Sequence, residues 1–227
     1  MYKIALLYKR RLPLPVETFQ QRWLSEHSVR ICKVPGLLKY VQSHALPQGY
    51  RKGELLFDGI EELWFADEEA GRRAQTSEEW AAVAKAGDDL FDTERTVILP
   101  IELHVIKDGP IPKDGVKNIE FVTRRPGLDL AEFRRYWREI HGPLASRIPT
   151  ICRYEQNHTA LSAYVGGSRP AYDGLAITWF ESTGAMKEGA KTREYAETRA
   201  DEAAFLPDGH LPIIITREHT IIGASFP

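Results

Sequence analysis

The sequence predicts an α+β fold in which one βαββαβ unit of roughly 110 residues occurs twice in the chain. Two observations predict it: residues of the first half recur in register in the second half, and each half alternates short apolar strands with amphipathic helices. Six of the seven histidines form pairs 114 or 115 residues apart, namely His27 with His141, His44 with His158, and His104 with His219. This repetition is decisive because it determines the whole architecture.

Aromatic and polar residues around the histidines keep the same register. The further pairs are Arg10 with Arg124, Phe19 with Phe133, Trp23 with Trp137, Tyr40 with Tyr154, Gln42 with Gln156, Asp58 with Asp173, and Trp64 with Trp179. The spacing between paired residues changes from 114 to 115 in a loop, where the insertion of one residue is tolerated. We expect the first repeat at residues 1–106 and the second at 118–227. Residues 107–117, with two glycines and two prolines, are expected to link them.

The elements of the first repeat follow from short apolar segments and capping residues. Strands are predicted at residues 2–9, 38–44, 58–65 and 97–106. Pro15 opens a helix that extends to about His27, because proline is well tolerated in the first turn. Ser77 caps a second helix that extends to about Phe91.

The second repeat has the same order of elements. Strands are predicted at residues 118–123, 153–158, 173–180 and 213–222, and a late helix at residues 186–204. Asp129 caps an earlier helix that reaches His141, where Gly142 and Pro143 are expected to end it. The βαββαβ order is the ferredoxin-like motif, which leaves one sheet face without helices. We therefore expect the two sheets to pack face to face as an intramolecular barrel with four helices outside.

Composition excludes some classes of function. The formal net charge of −2 gives no electrostatic footprint for nucleic acid. No apolar run approaches the roughly 20 residues that span a bilayer, so no membrane partner is expected. The first residues do not resemble a signal peptide, and we expect a cytoplasmic protein. Cys32 and Cys152 do not match in the repeat register, and we expect two reduced thiols.

Polar residues converge on one predicted surface of each repeat. Tyr40, Gln42 and His44 alternate along a strand and therefore share a face. His27 ends the apolar stripe of a helix and should look toward that face. The candidate catalytic residues are His27, Tyr40, His141 and Tyr154. The candidate substrate-binding residues are Arg10, Trp23, Gln42, His44, Asp58, Trp64, Arg124, Trp137, Gln156, His158, Asp173 and Trp179.

Each candidate also has a structural interpretation. A histidine at the end of a helix favours the negative end of the helix dipole, and a strand tyrosine can be a core residue with a bonded hydroxyl. The aspartates precede glycine and can serve a turn, while the arginines can be solvated. No HxH or HxxxH spacing is present and no cysteine accompanies the histidines, so no metal site is expected.

These residues resemble the EthD family of the dimeric α+β barrel superfamily. The resemblance rests on Phe133, Trp137, the sequence His141-Gly142-Pro143, and Tyr154 thirteen residues after the histidine. The first repeat carries Phe19, Trp23, His27 and Tyr40, with Ser28-Val29 in place of Gly-Pro. The resemblance implies a pocket between helices and sheet that the histidine and the tyrosine face. It also implies no cofactor, as in many relatives; some relatives bind heme, but no axial ligand is identified here.

Residues and resemblance together suggest a cofactor-independent acid–base enzyme, an isomerase or an ester or lactone hydrolase. The substrate would be a small, anionic, unsaturated or aromatic-derived acid such as a ring-cleavage product. A histidine would move the proton, the tyrosine and glutamine would hold an oxyanion, and Arg10 or Arg124 would bind a carboxylate. The more basic first repeat suits an anion better. The alternatives are a cofactor-free monooxygenase, a polyketide cyclase or dehydratase, and a non-catalytic small-ligand or stress-response protein. Association into a homodimer is compatible with each.

Overall fold

The computed structural model describes residues 1–223. The chain divides into two compact units. The first unit contains residues 1–101 and the segment that begins at Glu218, and the second contains residues 102–217. The repeat bounds inferred from the sequence and the packing of one sheet on the other stay predictions.

The first unit is built on an antiparallel sheet. Its strands are β1 Tyr2–Tyr8, β2 Lys39–Ala45, β3 Gly59–Phe65 and the first part of β4 Val97–Lys107. Strand β1 pairs with β3 on one side and with β4 on the other, and β2 pairs with β3. All four strands were predicted from the alternation of apolar residues, with bounds that differ by a residue or two.

The helices of the first unit cover one face of this sheet. They are α1 Val16–Arg22, a π-helical turn Trp23–His27, α2 Ser28–Ile31, α3 Glu68–Gln75 and α4 Glu78–Ala86. The predicted cap is present, because the Ser77 hydroxyl accepts a hydrogen bond of 3.1 Å from the Trp80 amide. Helix α4 ends at Ala86, earlier than expected, and α3 was not predicted.

The second unit repeats the arrangement. Its strands are β5 Val116–Val122, β6 Arg153–Thr159, β7 Gly174–Phe180 and the first part of β8 Ile213–Ile222. Its helices are α5 Leu130–Tyr136, a π-helical turn Trp137–His141, α6 Gly142–Ala145, α7 Thr183–Gly189 and α8 Arg193–Asp201. Strand β5 pairs with β7 and β8, and β6 pairs with β7. The single helix predicted at residues 186–204 is α7 and α8.

The predicted helix end at Gly142 and Pro143 is wrong. The helix continues through both residues into α6, where Pro143 lies at the N-terminal end and costs no hydrogen bond within α6. At Gly142, a Cβ would lie 2.9 Å from the Gln156 amide nitrogen and 3.2 Å from an Ile106 methyl group. The glycine therefore lets the helix approach the sheet closely.

A tryptophan packed on a glycine joins helix and sheet in both units. A Cβ on Gly59 would lie 2.7 Å from the Trp23 ring, and one on Gly174 would lie 2.7 Å from the Trp137 ring. Both tryptophans are buried. This packing explains why glycine follows the repeated aspartate at the start of β3 and β7.

The aspartate before each glycine anchors an arginine. Asp58, with no exposed surface, accepts hydrogen bonds from the Arg10 amide at 2.8 Å and from its guanidinium at 2.7 Å. The Lys9 ammonium lies 3.1 Å from the same carboxylate. In the second unit, Asp173 accepts from the Arg124 amide at 2.8 Å and from its guanidinium. These ion pairs fasten the end of the first strand of each unit to the start of its third.

We expect Asp58→Asn to lower the free energy of unfolding by about 3 kcal/mol, because it leaves two buried cations with one partner fewer. Asp173→Asn is the matched control and should cost less, since the Arg124 side chain is 23 % exposed and the Arg10 side chain only 7 %. Urea unfolding of both variants measures the difference. A loss at Asp58 no larger than that at Asp173 would contradict this interpretation.

Candidate active site

Each unit has a cavity between its helices and its sheet, and a histidine lines it. The first cavity has a volume of about 240 Å³ and contains His27, and the second has a volume of about 230 Å³ and contains His141. Both histidines end a π-helical turn and are buried, at 2 % and 6 % exposure. π-Helical turns are rare in proteins, and those that occur are frequently found at functional sites. The two cavities are therefore equivalent in position.

In the first unit, a buried glutamate collects the polar groups beneath the cavity. Glu61 has no exposed surface and accepts hydrogen bonds from the Trp23 indole at 2.6 Å, from the Tyr40 hydroxyl, and from the Gln42 amide at 3.2 Å. The His27 Nε2 atom lies 3.3 Å from the same carboxylate. Burial, followed by the Glu61 charge, raises the pKa of Tyr40 well above its ordinary value. The tyrosine therefore keeps its proton and gives the hydrogen bond to Glu61.

Sequence analysis missed Glu61 because the second repeat has no glutamate there. Strand β3 pairs Glu61 with Leu6 of β1, and the corresponding pair in the second unit is Ala176 with Glu120. The carboxylate has thus moved to the other strand of the same pair. The sequence did contain one indication of Glu61. Alternate residues of a strand point to the same face, so Glu61 shares the helix-facing side of β3 with the buried Leu63, and a charged residue is unusual there.

Because the second unit has no glutamate at the position equivalent to Glu61, its tyrosine does not donate its proton to a carboxylate there. The Tyr154 hydroxyl accepts a hydrogen bond from the Gln156 amide at 3.0 Å. Within residues 1–223, no acceptor takes the proton of this hydroxyl. Tyr154 lines the second cavity, and burial raises its pKa. Its O–H group is therefore available to a ligand.

The second histidine is held from the helix side. The His141 Nδ1 atom lies 2.9 Å from Asp201, whose other oxygen accepts a hydrogen bond of 2.7 Å from the Tyr136 hydroxyl. A carboxylate at Nδ1 favours the tautomer with its proton there and leaves Nε2 as the basic atom. Burial lowers the pKa of His141, although Asp201 opposes this. Sequence analysis did not identify Asp201, because Ala86 lies 115 residues before it.

Helix α8 and the residue after it line the second cavity with polar side chains at positions where the first cavity has apolar residues or glycine. The residues Tyr195, Thr198, Arg199 and Glu202 line the second cavity, and the residues 115 positions earlier, Trp80, Val83, Ala84 and Gly87, line the first. Arg199 forms an ion pair with Glu202. Burial raises the pKa of Glu202 to about 7, against the opposing charge of Arg199. The two cavities therefore share a scaffold and differ in chemistry.

The predicted glutamines and strand-end histidines lie beneath the tryptophans. The Gln42 amide donates to the Trp23 carbonyl at 3.1 Å, and the His44 ring stacks on the Trp23 ring at 4.4 Å. His158 stacks on Trp137 in the same way, at 4.3 Å. Burial lowers the pKa of His44 to about 3 and that of His158 to about 2. These imidazoles are neutral supports, and neither lines the first or the second cavity.

Six other predicted substrate-binding residues do not line either cavity. They are Arg10, Asp58, Trp64, Arg124, Asp173 and Trp179. The arginines and aspartates are paired with each other as described above. The Lys3 ammonium lies 4.7 Å from the Trp64 ring, and the Lys117 ammonium lies 5.0 Å from the Trp179 ring. Both tryptophans are on strand positions opposite in parity to Glu61 and Ala176. Of the predicted tryptophans, Trp137 lines the second cavity.

The part of the chain that the structure describes has neither a metal-binding cluster nor a membrane-spanning helix. Within residues 1–223, no cluster of three or more His, Cys, Asp or Glu side chains is arranged to hold a metal ion. No helix in that range has the length and apolar character needed to cross a bilayer.

The sequence matches the EthD domain twice, at residues 11–94 and 125–208. No curated protein matches the chain. These two matches cover most of each repeat and include both cavity histidines.

Solved structures share the fold at low sequence identity. An anthrone oxidase-like protein superposes with a TM-score of 0.65 at 10% identity, covering 99% of this chain and 94% of that one. A candidate monooxygenase from Fusobacterium nucleatum gives 0.58 at 8% identity, with coverages of 99% and 96%. A mutant chlorite dismutase from Candidatus Nitrospira defluvii gives 0.50 at 10% identity, with coverages of 96% and 91%. These likenesses concern the fold alone.

We expect His141 to be neutral at pH 6.5, because burial outweighs the attraction of Asp201 and lowers its pKa below the ordinary value of 6.5. Nitrogen-15 NMR of the imidazole should report a neutral ring with its proton on Nδ1. A cationic His141 at this pH would contradict the expectation.

Proposed function

Since the chain belongs to the EthD family and carries its domain twice, we propose that it is an enzyme that transfers a proton on a small molecule bound in the second cavity. One observation carries this proposal. His141 is held at Nδ1 by Asp201, and the same cavity contains a tyrosine hydroxyl whose proton has no acceptor within residues 1–223. A positioned base and a positioned donor are the two parts that acid–base catalysis requires.

The reaction follows from these two groups. The Nε2 atom of His141 removes a proton from carbon, or from a water molecule that attacks an ester or lactone carbonyl. Tyr154 donates a hydrogen bond to the substrate oxygen on which negative charge develops. Gln156 donates to the Tyr154 oxygen, which leaves the Tyr154 proton for the ligand. General acid–base catalysis of this kind contributes typically about 10²–10⁴ in rate.

The lining of the second cavity suits a small unsaturated or aromatic-derived substrate. Apolar side chains such as Val122, Ile148 and Phe205 form much of the wall, and a few polar groups interrupt it. Sites for small ligands typically combine an apolar wall with a few oriented polar groups. Isomerisation of an unsaturated carbonyl compound needs no more than these residues, and ester or lactone hydrolysis also needs a water molecule.

The first cavity is the weaker candidate. His27 shares its Nε2 atom with Glu61, and the Tyr40 proton is already donated to that carboxylate. Two cations of the first unit are also engaged, since Lys9 and Arg10 pair with Glu54 and Asp58. We therefore assign catalysis to the second unit.

A cofactor-free oxygenase is the second candidate function. The likeness to an anthrone oxidase-like protein favours it, and a base with an oxyanion donor can also form the carbanion that reacts with oxygen. Oxygen consumption with anthrone as the test compound distinguishes the two functions. An isomerase or hydrolase consumes no oxygen. Retention of a ligand without turnover of any compound would instead favour the non-catalytic alternative.

We expect His141→Gln to lower turnover at least 100-fold, because it removes the base, a loss within the range of general base catalysis. His27→Gln is the matched control and should retain turnover within about threefold, since His27 is not part of the proposed machinery. Exchange of substrate protons with D₂O, followed by NMR over a set of lactones, enones and phenols, measures both. Loss in His27→Gln with full activity in His141→Gln would move the site to the first unit.

We expect Ala176→Glu to inactivate the second cavity while the protein stays folded. The new carboxylate would accept the Tyr154 proton, as Glu61 accepts that of Tyr40 in the first unit. Ala176→Ser adds little volume and is the control. A fully active Ala176→Glu variant with an unchanged melting temperature would show that Tyr154 is not the donor.

A further inference from the structure

The helix-side partner of His141 is itself held by a second side chain, to which the proposed function gives no role. The Asp201 carboxylate lies 2.9 Å from the His141 Nδ1 atom, and its other oxygen accepts a hydrogen bond of 2.7 Å from the Tyr136 hydroxyl. The hydrogen bond to Asp201 raises the pKa of Tyr136, so the hydroxyl keeps its proton and is the donor. Tyr136, Asp201 and His141 therefore form a continuous chain of hydrogen bonds that ends at the second cavity.

The π-helical turn explains how two residues of one helix reach the same carboxylate. Tyr136 directly precedes the turn Trp137–His141, and the Gly142 amide donates to the Trp137 carbonyl, a hydrogen bond between residues five apart. In a regular α-helix, residues five apart point about 140° away from each other. A π-helical turn brings such residues nearly above one another, so Tyr136 and His141 both reach Asp201 at the end of α8.

A buried phenylalanine holds the ring of Tyr136. Phe205, at 1 % exposure, stacks on the Tyr136 ring with centroids 5.5 Å apart and contacts the His141 ring at 4.6 Å. In the first unit, Phe91 contacts the His27 ring in a similar way, at 4.8 Å. The phenylalanine therefore belongs to the scaffold that both units share, and it gives the tyrosine of the second unit a fixed support.

The first unit lacks both members of the pair formed by Tyr136 and Asp201. The residue 114 positions before Tyr136 is Arg22, and the residue 115 positions before Asp201 is Ala86. Arg22 forms an ion pair with Asp89 at 2.7 Å instead. The tyrosine and the aspartate therefore occur together, in the unit whose histidine is held at Nδ1.

We propose that Tyr136 is a positioning residue for the base and that it acts through Asp201. Its hydrogen bond holds one carboxylate oxygen, so that the other stays on the Nδ1 atom of His141 and the lone pair of Nε2 is directed at the ligand. Tyr136 does not line the cavity and does not touch the substrate. This inference rests on the proposed function, because it concerns the orientation of the base used there.

The same hydrogen bond moderates the charge that Asp201 presents to the imidazole. A carboxylate that accepts a hydrogen bond is stabilised in its charged form and is less basic. With one donor fewer, Asp201 attracts the imidazolium more strongly, and its carboxylate turns more freely. Removal of the Tyr136 hydroxyl should therefore raise the pKa of His141 and weaken the preference for the tautomer with its proton on Nδ1.

Other charged groups around His141 stay in place when the Tyr136 hydroxyl is removed. Burial lowers the pKa of His141, Asp201 opposes this, and the Arg199 charge adds to the lowering. The titratable groups that line the same cavity from other positions are Glu120 on β5, Tyr154 on β6, Lys187 on α7, Tyr195 on α8 and Glu202 after α8. Within residues 1–223, the Tyr136 hydroxyl bonds to Asp201 and to none of these.

The first test follows the His141 imidazole by nitrogen-15 NMR as a function of pH, with His141→Gln to assign its signals. We expect Tyr136→Phe, which keeps the ring stacked on Phe205, to raise the pKa of His141 by about half a unit, part of the free energy of one hydrogen bond to a charged group. Tyr164→Phe is the matched control, because the Tyr164 hydroxyl donates to Asp173 at 2.7 Å and neither residue lines the cavity. It should leave the pKa of His141 unchanged.

The second test measures turnover by exchange of substrate protons with D₂O. Tyr136→Phe should lower kcat about tenfold with KM unchanged, the lower end of what loss of an outer partner costs a metal-bound histidine. The acidic limb of the pH profile of kcat/KM should move to higher pH, since a base with a raised pKa is protonated at a higher pH. Tyr164→Phe should retain turnover and the profile.

A double-mutant cycle shows whether Tyr136 acts through Asp201. Asp201→Asn places an amide donor at Nδ1, which reverses the tautomer and should lower turnover at least 100-fold. In that background, Tyr136→Phe should change neither the pKa of His141 nor the turnover further. An undiminished effect of Tyr136→Phe there would overturn the proposal.

The remaining outcomes also decide the role of Tyr136. An unchanged pKa of His141 in Tyr136→Phe, an equal change in Tyr164→Phe, or a lower melting temperature with no change in the pKa of His141 would each contradict it. If His141→Gln is fully active, the proposed function fails, and the NMR titration still decides whether Tyr136 positions the imidazole. The two failures are therefore distinguishable.

Discussion

A carboxylate on the buried face of a sheet is the constraint on which both sites depend. Such a group is costly to remove from water unless donors or cations compensate it. In the first unit the compensation is internal, since Trp23, Tyr40 and Gln42 all donate to Glu61. The hydrogen-bond donors of these three side chains are therefore already occupied within the protein. The cavity above them is left with a largely apolar wall.

The second unit meets the same constraint in a different way. Its sheet carboxyl group stands on the neighbouring strand, and one side-chain donor, Asn118, reaches it. The tryptophan, tyrosine and glutamine are still present, and Gln156 donates to Trp137 and Tyr154 as Gln42 does to Trp23 and Tyr40, but the Tyr154 proton has no carboxylate to accept it. Polar residues on α8 complete the change.

The strands and the recurring residues of this arrangement were predicted from the sequence, whereas the difference between the two units was not. All eight strands and the paired histidines and tyrosines follow from periodicity and from residues that recur in both halves. Recurrence also selected Arg10 and Asp58, which recur because each unit needs the same ion pair to fasten two strands. The groups that distinguish the sites, Glu61 and Glu120, are the ones that do not recur. A comparison of repeats identifies what the halves share, whereas their division of labour lies where they differ.

The two cavity histidines show the same difference between the units, because a carboxylate lies near a different ring nitrogen in each. An imidazole can act as a base in a cavity only if one nitrogen is held and the other is left for the ligand. In the first unit the Nε2 atom of His27 is within 3.3 Å of Glu61 on the sheet. In the second, Asp201 comes from the helix side and holds Nδ1 instead. Moving the carboxylate from sheet to helix therefore shifts the contact from Nε2 in His27 to Nδ1 in His141, and this is the geometry on which the proposed proton transfer depends.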